Sequence, residues 1–113
     1  MAARRKTQLK RGILLNDGEI NEALEKLPSW KLENGKLERE YHFKSFVEAF
    51  AFITSVALTS EGMNHYPECW SYNQKVVIRL FSTEPKGIST VDVLMANKLD
   101  ELVSRTAEVH KKA

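Results

Sequence analysis

The chain has 113 residues, 17 Lys plus Arg against 15 Asp plus Glu, 42% hydrophobic residues and one cysteine. That length suits a single domain, and a lone Cys excludes an intramolecular disulfide framework or a Cys-rich zinc site and fits a reducing, cytoplasmic setting. With 28% charged and 9% aromatic residues the chain is not a disordered polyelectrolyte, and no apolar run approaches the ~18 residues of a membrane span, so no membrane partner is expected.

The net charge of +2 conceals two regions of opposite sign. Residues 1–11 hold Arg4, Arg5, Lys6, Lys10 and Arg11 and no acid, a charge of +5, while the remaining 12 bases and 15 acids give −3. This segment lacks an apolar h-region and does not read as a secretory signal. Residues 1–13 read as a basic arm, either a solvated end or a handle for an acidic partner, ahead of one domain spanning 14–113.

Asn16 and Glu19 have capping-box spacing, and Ile20, Ala23, Leu24 and Leu27 then recur at helical spacing until Pro28. Asn34-Gly35 marks a hairpin, since both central residues of a type I′ turn need positive φ. Its register puts Trp30, Leu32, Leu37, Tyr41 and Phe43 on one face and Lys31, Glu33, Lys36, Glu38, Glu40 and His42 on the other. Ser45 and Glu48 open a second helix, apolar nearly all round from Phe46 to Leu58, which predicts burial on several sides. Gly62 is its expected stop.

Residues 63–69 read as a loop entering a second hairpin, Trp70 to Tyr72 and Lys75 to Ser82, with a turn near Asn73-Gln74. Apolar Val77 and Phe81 on the nominally exposed side predict an edge strand that pairs with another copy. After the turn Glu84-Pro85-Lys86-Gly87, Ser89 and Asp92 start a last helix with Met95, Leu99, Leu102, Val103 and Thr106 on one side. The order α-ββ-α-ββ-α predicts an α+β fold, a four-stranded antiparallel sheet with helices packed on one face.

Chemistry is sparse. His42 and His110 fall on charged surfaces, no histidines have metal-ligand spacing, no Gly-rich phosphate loop occurs, and Cys69 reads as a small, buried or half-buried strand residue. His65 differs, because it sits just past a helix end in a Pro-containing loop beside a sheet, where polar groups line clefts.

Around that loop, Glu61-Gly62-Met63-Asn64-His65-Tyr66-Pro67-Glu68, with Phe46 to Leu58 before it and Asn73 to Ser82 and Gly87 to Asp92 after it, resembles the pterin-4a-carbinolamine dehydratases over about residues 14–107. The resemblance implies sheets joined edge to edge in homodimers, or homotetramers built through helix contacts. It also implies a pterin ligand dehydrated without metal or redox cofactor, chemistry that needs imidazoles titrating near neutrality. Carried over, His65 is the first imidazole and Glu61, Pro67 and Asp92 keep their positions in a substrate site. Tyr66 stands where the second His belongs and Thr83 where the third does. Tyrosine ionises near 10 and threonine not at all in this range, so the dehydratase activity is expected to be crippled.

Three functions follow from the resemblance. The first is a non-catalytic assembly factor for RuBisCO, a branch associated with α-carboxysomes, with the basic arm contacting the partner. The second is a weak dehydratase relying on His65. The third is a transcriptional dimerisation cofactor, without direct nucleic-acid binding.

Overall fold

The computed structural model describes residues 12–112, with side chains through residue 104; the arm bases Arg4 to Arg11, Thr106 and His110 lie outside the described residues or side chains. The elements in chain order are α1 (Asp17–Glu25), β1 (Lys31–Glu33), β2 (Lys36–His42), α2 (Phe46–Met63), β3 (Glu68–Tyr72), β4 (Lys75–Leu80), a short hairpin β5 (Ser82–Thr83) and β6 (Lys86–Gly87), and α3 (Thr90–Lys112). The four long strands form one antiparallel sheet in the order β1-β2-β4-β3. The expected α+β architecture is therefore present, with β5–β6 added where the sequence showed only a turn.

Local chemistry accounts for most boundaries. Asn16 and Glu19 exchange hydrogen bonds of 2.8 Å to each other's backbone N–H, closing the capping box of α1. Asn34 and Gly35 both have positive φ, 52° and 77°, as the β1–β2 turn requires. Residues 13–15 form a strap across the start of α3: Leu15 N–H donates to Ile88 O at 2.8 Å and Thr90 N–H to Ile13 O at 2.9 Å. Gly12 permits this approach, since a Cβ there would lie 2.6 Å from Val91 Cγ2.

The core lies between the inner sheet face, carrying Leu37, Tyr41, Val76, Ile78 and Leu80, and Ala49, Phe52 and Val56 of α2 with Met95, Ala96 and Leu99 of α3. Four sequence expectations change here. β4 is a central strand, paired with β2 and β3, so Val77 is covered between Glu40 and Trp70 at 6% exposure, and Phe81 is half-buried beneath the Lys36 ammonium. Neither residue lies on an edge, and the expectation of an interface through them falls with that premise. Leu32 is exposed because β1 is a short edge strand. Helix α2 buries only one stripe and leaves Phe46, Val47, Phe50 and Leu58 exposed. At 18 residues and mean hydropathy 1.2 it has the length and composition of a membrane span, although Phe52 and Val56 pack it into the core. Finally, α2 runs through Gly62, and Asn64 in the left-handed region is its cap.

A part-buried polar cluster borders the core around Asp100. Asp100 on α3 accepts from Arg39 Nη1 at 2.6 Å, Tyr41 Oη at 3.0 Å and Trp30 Nε1 at 3.0 and 3.1 Å. The Arg39 guanidinium also stacks 4.2 Å above the Tyr41 ring. Because this carboxylate holds three elements together, Asp100→Ala is expected to cost about 2–4 kcal/mol in urea unfolding, the loss of an ion pair with its hydrogen bonds. Burial and the Asp100 charge push the Tyr41 phenol well above its ordinary value near 10. The unfolded chain releases that proton first, so stability is complete below about pH 10 and falls as pH rises further. Thermal melts between pH 9 and 12 should show this loss, and Tyr41→Phe should reduce its slope.

Candidate functional site

His65 is placed by the end of α2. Its backbone N–H donates to Ser60 O at 3.1 Å, and the N–H of left-handed Asn64 donates to Glu61 O at 3.3 Å. This paired closure is a Schellman motif, and it turns the chain sharply so that the residue after the cap points back across the fold. There His65 Nε2 lies 2.6 Å from Asp92 Oδ1.

Asp92 occupies the first turn of α3 and is wholly buried, at 0% exposure. Its second oxygen accepts from Ser82 Oγ and from Ser89 N–H, both at 2.8 Å, and lies 3.3 Å from Ser89 Oγ. The helix-start role read from Ser89 and Asp92 is thus correct. A substrate-binding role was also expected of Asp92; its carboxylate has no exposed surface and meets His65, Ser82 and Ser89. The sequence reading missed Ser82, which β5 delivers by pairing with Gly87. A serine closing a strand carries no signal of its own.

Glu61 and Tyr66 stand at the rim. The Tyr66 hydroxyl donates to Glu61 Oε2, and that bond to a carboxylate raises the phenol above its usual range. Pro67 and Tyr66 line an apolar groove of about 250 Å³ between α2 and β3, floored by Ile53, Val56 and Ala57. Cys69 also lines it, exposed on the edge strand with its thiol partly covered by the groove, where a buried or half-buried residue was expected. Partial burial of the thiol raises its pKa, which disfavours the reactive thiolate. Thr83 is exposed in β5, one residue beyond Ser82, and pairs with Lys86 through the backbone. The structure therefore joins His65 with Asp92 and Glu61 with Tyr66, while Thr83 is an exposed residue of β5. Among the described residues no group of three His, Cys, Asp or Glu side chains is arranged to hold a metal ion.

The family model for pterin 4 alpha carbinolamine dehydratase matches residues 13–102. The chain belongs to this family. A relative from Prochlorococcus marinus strain AS9601, provisionally named a pterin-4-alpha-carbinolamine dehydratase, is 37% identical over 79% of this chain and 93% of its own length. One from Solibacter usitatus, with the same provisional name, is 41% identical over 80% and 95%. A crystal structure from Brucella melitensis, titled transcriptional coactivator/pterin dehydratase, superposes with a TM-score of 0.75 at 32% identity, covering 79% of this chain and 97% of that one. The matched stretch includes His65 and Asp92.

Asp92→Ala removes the acceptor for donors from three segments. It is expected to destabilise the fold by about 3–5 kcal/mol in urea unfolding, the range for stranding partners of a buried charge.

Proposed function

We propose that this chain is a non-catalytic pterin-dehydratase-like binding module, of the kind its sequence resembles among assembly factors for RuBisCO. One observation carries the reading: of the three positions where the family's chemistry needs imidazoles, only His65 holds one. Tyr66 is tied to Glu61 with its phenol pushed upward, so it neither takes nor gives a proton readily near neutrality. Thr83 has no proton to exchange in that range. Each general acid or base contributes ~10²–10⁴-fold to a rate, so two losses remove roughly 10⁴-fold or more.

A second reading, a weak dehydratase, has one feature in its favour. His65 is held 2.6 Å from a buried carboxylate, an arrangement that suits an acid or base, and the relatives carry the dehydratase name. Stopped-flow measurement with chemically generated carbinolamine separates the two. The expected result is no acceleration over the uncatalysed reaction, with a gain of at least about 100-fold when Tyr66→His and Thr83→His are combined. An acceleration in the unaltered chain that disappears in His65→Ala would instead establish the dehydratase. Binding to RuBisCO large subunit should persist in His65→Ala and weaken, most at low salt, on deletion of residues 1–11.

The module is proposed to act as an oligomer, with a second copy paired along β3. That strand is exposed throughout, ends the sheet, and carries Trp70 and Tyr72 in contact with each other on the outer face. An apolar strand edge of this kind invites pairing. Sedimentation at micromolar concentration should show a dimer or larger, and Trp70→Lys should shift it toward monomer with an unchanged circular dichroism spectrum. A monomer in the unaltered chain would remove the proposal.

A further inference from the structure

Around Asp92 the hydroxyl protons can be assigned by counting. Ser82 Oγ lies 2.8 Å from Asp92 Oδ2 and 2.8 Å from Ser89 Oγ, and Ser89 Oγ lies 3.3 Å from Asp92 Oδ2. Each hydroxyl owns one proton. The shorter set of contacts is used when Ser82 donates to Asp92 and Ser89 donates to Ser82. Ser89 Oγ then accepts from Val91 N–H at 3.3 Å, giving a one-way chain from the Val91 amide through two hydroxyls to Oδ2. Such chains polarise each bond in turn. With the Ser89 amide also donating at 2.8 Å, Oδ2 is fully occupied. Oδ1 is left to His65 Nε2.

We propose that Ser82 and Ser89 are positioning residues for His65: by saturating Oδ2 they fix the Asp92 carboxylate, which anchors the imidazole through Nε2 and leaves Nδ1 as the one ring nitrogen available to a ligand. Nε2 and Oδ1 lie 2.6 Å apart with one proton between them, and whichever atom holds it, Nδ1 faces away from Asp92. A ligand at this position therefore meets a single nitrogen with one direction of approach, and its complementary group is an N–H or O–H donor, or an acceptor once Nδ1 is protonated. The inference concerns the imidazole itself and holds whether or not the chain turns over a substrate.

The test is proton–nitrogen NMR of the full chain with labelled histidine. The expected spectrum has one downfield, slowly exchanging Nε2–H resonance from His65, which Asp92→Asn removes or displaces. In Ser82→Ala that proton should exchange at least tenfold faster while the backbone amides of β4 keep their protection. Ser82→Thr, which retains a hydroxyl, should restore slow exchange, and Ser82→Val, of the same shape without one, should not. Equal exchange in the Thr and Val variants would overturn the proposal. So would an unaltered Nε2–H signal in Ser82→Ala combined with Ser89→Ala.

Discussion

A carboxylate cannot be buried without donors, and Asp92, with none of its surface exposed, collects them from three separate stretches of chain. The cap of α2 must bring His65, the β5–β6 hairpin must bring Ser82, and the residue before α3 must supply its amide. Each stretch has a local reason for its shape: a left-handed Asn64, a hairpin between Ser82 and Gly87, and a helix start. The carboxylate makes these local choices mutually dependent, because an uncompensated buried charge costs several kcal/mol.

Helix α3 carries the constraint into the rest of the molecule. Eight residues after Asp92, Asp100 accepts hydrogen bonds from Trp30, Arg39 and Tyr41, fixing the helix to β2 and to the segment before β1. Between them Met95, Ala96 and Leu99, on the side facing the sheet, are wholly buried. One helix thus has an acidic anchor at its start, an apolar seam against the sheet and a second acidic anchor beyond. The strap at residues 13–15 adds a backbone clamp over the same helix start. These contacts bracket the His65–Asp92 pair at the start of the helix.

The surface has the same division. The outer sheet face is laced with ion pairs, Lys31 and Arg79 about Glu38 and Lys36 with Glu68, which neutralise one another. Apolar exposure is instead concentrated on α2, at Phe46, Val47, Phe50 and Leu58, and on β3 at Trp70 and Tyr72. Contiguous exposed apolar residues of this kind mark interaction surfaces in a folded protein.

What the sequence by itself determined was local. Asn16 with Glu19, Asn34 with Gly35, and Ser89 with Asp92 each set a helix start or turn through contacts within four residues, and alternation along β2 and β4 set their inner faces. The family was legible in the stretch around His65. Strand order was not, because Val77 has the same neighbours in sequence whether β4 is an edge or a centre. Only the sheet, by placing β2 and β3 on either side, decided that it is buried. Tertiary structure alone likewise joined His65 to Asp92 and Ser82, and Asp100 to Arg39. These pairs lie far apart along the chain, and no periodicity or propensity encodes which distant donors a buried carboxylate will find.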